Sequence, residues 1–202
     1  DFSREYNFVT QYNSAVTAND ANLNKRIGVA KQFAAFDRFW LPHNFDYRGR
    51  VYHIPDFGPH NSDHVRALFL FANGKPIGDA EDVLAIQIAN RYGLDKWTLE
   101  ERIEWVHDHS NVICKTGEDF KASFPHWSKA SEPLQYLAAC REWSNYKKVG
   151  PSYVSGLPAN LDATQSGIQH FAAASLNPID GQKVNLTDNQ LPHDFYKDCL
   201  DV

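Results

Sequence analysis

The sequence predicts an α/β fold of the α+β kind, rich in helix, and three observations carry that prediction. Several stretches repeat apolar residues at the helical period and begin or end at recognisable caps. Only two short stretches have a strand-like composition, at 50–54 and 152–161. Of the 202 residues, 43% are apolar and 22% are charged, which is typical of a chain that folds around a core rather than staying disordered.

The first predicted element is a helix over residues 20–41, where apolar residues recur at helical spacing until Pro42 breaks the pattern. Residues 43–64 are rich in Gly, Pro, Asn and Asp, which predicts loops around the strand candidate at 50–54. The stretch 65–78 then predicts a short helix that is closed by a turn at its Asn-Gly pair.

Three further helices are predicted in the middle of the chain, over residues 79–92, 98–117 and 131–148. Asp79 is the expected N-cap of the first of them. Thr98 and Glu101 form the sequence signature of a capping box at the start of the second. Each helix is expected to stop at a glycine, in order Gly93, Gly117 and Gly150.

Charge and cysteine content exclude several classes of protein. The net charge of −5 argues against a simple nucleic-acid coat, which usually carries a basic patch, but it is compatible with a polymerase-type site where acidic residues bind metal. Three cysteines lie far apart without a CxxC pair, which predicts free thiols in a reducing compartment and no zinc site or disulfide scaffold. The chain begins at Asp1 and contains no methionine, which predicts a piece of a longer protein.

Four histidines fall in one loop-rich stretch together with two aspartates, which raises the possibility of a metallohydrolase: His43, His53, His60, His64, Asp56 and Asp63. Their spacing matches no zinc pattern such as HExxH, so surface histidines are the favoured interpretation. No run approaches the ~18 apolar residues of a membrane-spanning helix, and the start of the chain has no signal-peptide pattern, so no membrane contact is expected.

One acidic residue, Asp162, stands between the strand candidate at 152–161 and a helix-like run at 166–176. Strand, acid, turn and helix, in that order, present a carboxylate at the end of a rigid element, and Thr164 or Ser166 can cap the helix. A buried charge is costly unless it is paired or bound to a metal. Asp162 is therefore either a solvated cap of the helix or the ligand of a cation, and on the residues alone the cap is the commoner arrangement.

The stretch LDATQSGIQHF at 161–171 resembles the first palm motif of the single-subunit, phage-type RNA polymerases of bacteriophages and mitochondria. A second motif of that family, D-x-x-G-R, is matched by DYRGR at 46–50. Shorter stretches are also similar to the family: GKPIG at 74–78, GLDK at 93–96 and VNL at 184–186. The resemblance covers about residues 25–202, with the motifs in the order that the family has them.

The resemblance implies that Asp162 is one of two carboxylates that hold catalytic Mg²⁺, with the backbone carbonyl of Ala163 as a further ligand. Ala163 replaces the glycine usual in the family, and it supplies that carbonyl equally well. The second carboxylate and the fingers helix would lie beyond Val202, so this segment alone is expected to be inactive. Gly167 stands where the related DNA polymerase I family has a glutamate that blocks the ribose 2′ hydroxyl, which favours an RNA polymerase.

In the same family the D-x-x-G-R motif contacts the RNA–DNA hybrid, which implies that role for Asp46, Arg48 and Arg50. On the residues alone, a pair of surface arginines in a turn is the slightly favoured interpretation, and the motif reverses that preference. The resemblance also implies that Arg66 matches a basic position that faces nucleic acid. It further implies that Gly167 lies at the nucleic acid, at the position that faces the sugar. Lys96 matches a position that faces the nucleotide triphosphate, although a solvated lysine is an open alternative.

The implied parent is a monomeric DNA-directed RNA polymerase with palm, fingers and thumb, whose partners are a DNA template, an RNA transcript and ribonucleoside triphosphates. Its segments here are a helical part before the palm, a D-x-x-G-R region with a helical insertion, and the start of the palm, at residues 1–41, 42–150 and 151–202. The alternatives are a related DNA polymerase or primase, and a non-enzymatic nucleic-acid-binding domain. GIQHF and FDYRGRVY favour a phage enzyme in the cytoplasm of an infected bacterium over a mitochondrial one.

Overall fold

The computed structural model describes residues 21–160, 166–187 and 193–200, and the chain divides into two compact units, Asp1–Asn73 and Gly74–Val202. The described elements of the first unit are α1 (21–33), β1 (His43–Phe45), β2 (Val51–His53) and α2 (Asp63–Arg66). Those of the second are β3 (Lys75–Pro76), α3 (Glu81–Tyr92), α4 (Leu99–Asp108), α5 (Ser110–Glu118), α6 (Phe124–Trp127), α7 (Pro133–Val149), β4 (Val154–Ser155), α8 (Ser166–Ser175), α9 (Pro178–Lys183) and α10 (Phe195–Leu200). A helix-rich α+β chain is therefore confirmed.

Helix α1 ends at Phe33, so the prediction of a helix up to residue 41 is wrong at its C-terminal end. The cause is aromatic packing within the first unit. The chain turns after Phe33 and brings the Phe39 ring to 4.4 Å from the Phe33 ring, measured between centroids. Phe57 stacks on Phe33 at 5.9 Å and contacts Phe69 at 5.2 Å. These contacts are favourable only after the chain leaves the helix.

A β-hairpin follows, in which β1 pairs antiparallel with β2 and Phe45 lies opposite Val51. The strand predicted around Val51 is confirmed, whereas its partner β1 was not predicted. The helix expected within 65–78 is wrong in position, since α2 is a single turn that ends at Arg66. Leu68, Leu70 and Phe71 are exposed, so no apolar face supports a longer helix.

The core of the second unit lies where α3, α4, α5 and α7 pack together. Its fully buried side chains come from all four helices: Ile88, Val106, Ile113, Tyr136, Cys140 and Trp143. The indole nitrogen of Trp143 donates a 2.9 Å hydrogen bond to Ser110 Oγ, which joins α7 to α5. The three cysteines are free thiols, as expected. Across the described ranges, no helix combines the length and apolar character needed to cross a membrane.

Helix α3 ends at Gly93, whose φ of 116° confirms the predicted stop, but its N-cap is Ala80 and not Asp79. The capping box of Thr98 and Glu101 is confirmed at the start of α4. The single helix predicted over 98–117 is two helices, because the chain bends at His109.

Gly117 does not end the second of those two helices. It lies inside α5, where an added Cβ would stand 2.4 Å from the backbone oxygen of Cys140 on α7. The predicted helix over 131–148 is confirmed as α7, with Gly150 after its last residue. The short helix α6 was not predicted.

The strand predicted over 152–161 is only two residues long. Strand β4 pairs antiparallel with β3, so that Val154 lies opposite Pro76, and the chain then continues without regular structure to Asn160. Helix α8 confirms the predicted helix at 166–176 apart from its last residue. Asp162, Ala163 and Thr164 lie outside the described residues. The proposed segment boundaries at 41/42 and 150/151 remain predictions.

Candidate functional site

The hairpin loop that joins β1 to β2 is organised around the carboxylate of Asp46. Its Oδ1 accepts hydrogen bonds from the backbone N–H groups of Arg48 and Arg50, at 2.8 and 3.0 Å. Its Oδ2 accepts two more from the Arg48 guanidinium, from Nε at 2.9 Å and from Nη2 at 2.8 Å. Gly49 has a φ of 79°, a conformation that glycine adopts without the steric cost of a side chain.

Partial burial of Asp46 acts to raise its pKa, but the hydrogen bonds from Arg48 and Arg50 outweigh burial and hold the pKa below its usual value. The carboxylate is therefore ionised at neutral pH and acts as an intramolecular acceptor within the loop. The predicted contact of Asp46 with nucleic acid remains a prediction, and in the loop its direct effect is to set the backbone that carries the two arginines.

Arg48 and Arg50 differ in what their side chains contact. Arg48 is bound to Asp46, lies 5.6 Å from the centroid of the Tyr47 ring, and donates from Nη2 to Tyr52 Oη at 3.3 Å. Within the described residues the Arg50 guanidinium donates no hydrogen bond to the protein, and its residue is exposed. Tyr47, in the same loop, is 96% exposed. The loop thus presents an exposed guanidinium and an exposed aromatic ring on a fixed backbone.

Arg66 ends α2 and is half-buried in the first unit. Burial lowers the pKa of nearby His60, and its electrostatic interactions with His53, His43 and Arg66 lower the pKa further. The rings of His53 and His60 stack at 5.0 Å between centroids. Among the residues that the structure describes, no three His, Cys, Asp or Glu side chains are grouped to hold a metal ion.

Lys96 lies in the turn between α3 and α4, in the second unit. Its side chain is 89% exposed, and its Nζ stands 3.3 Å from Asp95 Oδ2. Buried Arg102 fixes this turn by donating to the carbonyl oxygens of Trp97 and Asp95, at 2.6 and 2.9 Å, and to Asn90 Oδ1 at 2.9 Å. The sequence analysis missed Arg102. The turn therefore holds Lys96 at the surface on a rigid base.

The chain that leads toward Asp162 is held by polar side chains buried on α3 and α7. Arg91 Nη2 donates to the Pro158 carbonyl at 2.6 Å, and the Asn160 N–H donates to Gln87 Oε1 at 3.2 Å. Glu142 Oε2 accepts from Ser155 Oγ at 2.6 Å. Sequence reasoning missed these residues. The available signal was a glutamine and an arginine at i, i+4 spacing on the face of α3 that also carries Leu84 and Ile88.

Gly167 is the second residue of α8, and a Cβ added there would have no heavy atom within 4 Å. The position is open, so the absence of a side chain is not required by packing against the described residues. Asp46, Arg48, Arg50 and Arg66 lie in the first unit, while Lys96 and Gly167 lie in the second.

Comparison with known proteins gives a consistent set of relatives. The family described as DNA-dependent RNA polymerase matches residues 75–202. The chain is 35% identical over 183 residues to the DNA-directed RNA polymerase of Enterobacteria phage T3, which covers 87% of this chain and 21% of that protein. It is 34% identical over 197 residues to the mitochondrial DNA-directed RNA polymerase of Neurospora crassa, covering 96% and 14% respectively.

A mammalian relative is similar to the same degree. The mitochondrial DNA-directed RNA polymerase of Mus musculus is 37% identical over 165 residues, which is 79% of this chain and 14% of that protein. The chain therefore spans about a fifth or less of the length of these relatives.

Proposed function

The chain belongs to the DNA-dependent RNA polymerase family, and from that premise we propose that the full-length protein synthesises RNA on a DNA template by transfer of ribonucleoside triphosphates. The observation that carries the proposal is the family match over 75–202, which contains the motif at 161–171. The parent would have the palm, fingers and thumb arrangement, act as a monomer, and bind template, transcript and nucleotide.

Within this proposal Asp162 and the Ala163 carbonyl hold Mg²⁺. Both offer oxygen atoms, which are the donors that Mg²⁺ prefers, so the donor chemistry fits the ion. Bound Mg²⁺ supplies activation of the attacking 3′ hydroxyl and charge neutralisation on the leaving pyrophosphate. The chain's own contribution is the Asp162 carboxylate itself, which follows in sequence the stretch up to Asn160 that side chains of α3 and α7 bind.

The other site residues bind and orient the substrates. The exposed Arg50 guanidinium can donate bidentate hydrogen bonds to a phosphate of the RNA–DNA hybrid, and Arg48 adds charge from the same loop. Arg66 lies in the same unit and is assigned the same partner. Lys96 on its anchored turn attracts the nucleotide triphosphate. Gly167 leaves room for the ribose 2′ hydroxyl.

The test is extension of an RNA primer on a DNA template by the full-length parent protein with Mg²⁺, offered ribonucleotides or deoxyribonucleotides. Template-directed extension with ribonucleotides in preference to deoxyribonucleotides is the expected result. Preference for deoxyribonucleotides would identify a DNA polymerase instead. Binding to the primed template without extension would identify a non-enzymatic nucleic-acid-binding protein.

Replacing Gly167 with glutamate in the full-length protein is expected to lower ribonucleotide incorporation by about 10-fold or more, because a carboxylate would then occupy space near the sugar and desolvate on contact with it. The open space at this position allows the variant to fold. Gly167→Ala is the matched control and should keep ribonucleotide use close to the wild-type level. The ratio of kcat/KM for a ribonucleotide and its deoxy counterpart measures the change, and an unaltered ratio in Gly167→Glu would remove Gly167 from sugar selection.

Replacing Arg50 with alanine is expected to weaken binding of the full-length protein to an RNA–DNA hybrid and to reduce the slope of log K against log salt by about 1, because one phosphate contact is lost. Arg38→Ala removes another exposed arginine from the same unit and is the control. Fluorescence anisotropy over a salt series gives both slopes. Equal slopes for the wild type and Arg50→Ala would show that Arg50 does not contact phosphate.

We propose that the enzyme works in the cytoplasm of a phage-infected bacterium, with the mitochondrion as the alternative compartment. The phage-like stretches GIQHF and FDYRGRVY support the first location. The sequence identities do not separate the two locations, because they are 34% and 35% to phage relatives and 31% to 37% to mitochondrial relatives. The proposed location therefore rests on the two motifs.

A further inference from the structure

Three histidines of the first unit lie close together beside the β1–β2 hairpin. His43 and His53 stand directly opposite each other in the antiparallel pair, which places both side chains on the same face of the hairpin. The ring of His60 stacks on the ring of His53, at 5.0 Å between centroids and 9° between planes. Three imidazoles are therefore neighbours, although they come from β1, from β2 and from the loop before α2.

The orientation of the His53 ring is fixed by contacts with the backbone. Its Nδ1 lies 2.5 Å from the carbonyl oxygen of Pro55, and a carbonyl oxygen only accepts, so Nδ1 carries a proton and donates. A Cβ added to Gly58 would stand 2.5 Å from the ring, so the Gly58 backbone packs directly against it. Nε2 of His53 is therefore the nitrogen that takes up and releases a proton, and it becomes a hydrogen-bond donor when protonated.

The loop that carries His60 is held in place by Asn61. Asn61 Nδ2 donates to the Asp56 carbonyl oxygen at 2.7 Å, and Asn61 Oδ1 accepts from Arg26 Nη2 at 3.3 Å. His60 itself is exposed, and the Tyr52 ring contacts its ring edge-on at 5.7 Å between centroids. A ligand in solvent can thus reach an imidazole whose position is set before the ligand binds.

Basic groups surround His60. Its pKa is lowered first by burial and then by the electrostatic effects of His53, His43 and half-buried Arg66. These neighbours oppose a second positive charge on the imidazole. An anion beside the ring reverses that balance, because it attracts the protonated form.

The aspartates of the same stretch are Asp46, Asp56 and Asp63. Asp46 Oδ2 accepts from the Arg48 guanidinium at 2.8 Å. Asp56 Oδ2 lies 3.3 Å from Lys25 Nζ. Asp63 is in the first turn of α2. Residues 43–66 contain three arginines and four histidines against these three aspartates, so the stretch becomes strongly basic once its histidines are protonated.

Tyr52 connects the histidine stack with the hairpin loop. Its Oη accepts a hydrogen bond from Arg48 Nη2 at 3.3 Å, while its ring contacts His60. One sugar-phosphate strand that passes from the hairpin loop to His60 would contact both along a single path, whereas a small anion would need only one of them. Contacts of this kind position a nucleic acid without reading its sequence.

We propose that His53 and His60, together with Arg66, form a proton-linked site for a phosphodiester of the bound nucleic acid. The inference rests on the nucleic-acid binding of the proposed function and adds a site beside the arginine loop. Protonated imidazoles donate charge-assisted hydrogen bonds to phosphate oxygens. Because the bound phosphodiester favours the protonated rings, binding takes up protons, and the affinity must rise as the pH falls.

The test is fluorescence anisotropy of the full-length protein with an RNA–DNA hybrid over a pH series. The hybrid carries no terminal phosphates, because a terminal phosphate itself titrates near pH 6. Between about pH 7.5 and pH 6.0, the wild-type affinity should rise about fivefold more than that of His60→Gln, since a change of one pKa unit on binding is about tenfold in affinity. At the lower pH, His60→Gln should also reduce the slope of log K against log salt by about 1.

Two further variants make the result specific. His60→Lys keeps a positive charge over the whole pH range, so it should bind at the higher pH about as tightly as the wild type does at the lower pH, with a flat profile. His107→Gln is the matched control, because it removes another exposed histidine, on α4 of the second unit. Its pH profile should equal that of the wild type. Since His60 is exposed, its variants are expected to fold.

The outcomes separate this inference from the proposed function. Binding of the hybrid with the same pH profile in the wild type and His60→Gln would overturn the histidine site alone. No binding of the hybrid at any pH would overturn the proposed function, on which the inference depends. A pH-dependent gain that His60→Gln removes for a fluorescent nucleoside triphosphate, but not for the hybrid, would overturn the assignment to a nucleic-acid strand.

Discussion

Replacing Asp162 with asparagine in the full-length protein is expected to slow ribonucleotide addition by about 10³-fold or more. Asparagine keeps the shape of the side chain and one oxygen, but it lacks the negative charge that makes a carboxylate a preferred ligand of Mg²⁺. Metal stabilisation of the transition state is worth several kcal/mol, and each 1.36 kcal/mol is about tenfold in rate. Addition of one nucleotide to an RNA-primed DNA template, followed by rapid quench, measures the rate directly.

The control is Asp180→Asn, which makes the same change of charge in helix α9 of the same unit. It should leave the rate close to that of the wild type, and both variants should bind the primed template. Wild-type activity in Asp162→Asn would make this residue a helix cap, which is the alternative that the residues alone favour. The family likeness would then be one of fold without shared metal chemistry.

Local signals in the sequence predicted several helix ends correctly because those ends depend on nearby residues. The capping box of Thr98 and Glu101 joins residues three apart, and Gly93 and Gly150 adopt the positive φ that ends α3 and α7. The end of α1 at Phe33 was not predictable in this way. It depends on the contact of Phe33 with Phe57, which lies far along the chain and itself contacts Phe69.

The residues of the candidate site show the same difference between local and long-range signals. Arg48, Arg50 and Lys96 were proposed from the sequence because they belong to short motifs whose residues are contiguous, and their roles remain predictions. Arg91 and Arg102 were missed, although both are buried and both hold backbone carbonyls. Their partners lie 67 and 5 residues away, and neither pair has a motif that marks it. Buried residues that hold the backbone of a site are therefore harder to predict from the sequence than the exposed residues of that site.

Gly117 is the position where one added methyl group is expected to have the largest effect on folding. Its missing Cβ would stand 2.4 Å from Cys140 O, 2.7 Å from Cys140 C and 2.9 Å from Arg141 N, all backbone atoms of α7. The obstacle is backbone and not the end of a flexible side chain, so it cannot move aside. Helices α5 and α7 must therefore separate to make room for the Cβ. Overpacking of this kind typically costs about 1–3 kcal/mol, and a backbone obstacle places Gly117→Ala at about 2–3 kcal/mol.

Replacing glycine with alanine should have the opposite effect on stability at Gly28, which makes Gly28→Ala a matched control. Gly28 lies in α1, and an added Cβ there meets no heavy atom within 4 Å. Alanine favours a helix over glycine by about 1 kcal/mol, so Gly28→Ala should stabilise the first unit slightly. Hydrogen–deuterium exchange of the full-length variants reports each unit separately. Faster exchange is expected in peptides from α5 and α7 of Gly117→Ala, and unchanged exchange there would contradict close packing of the two helices.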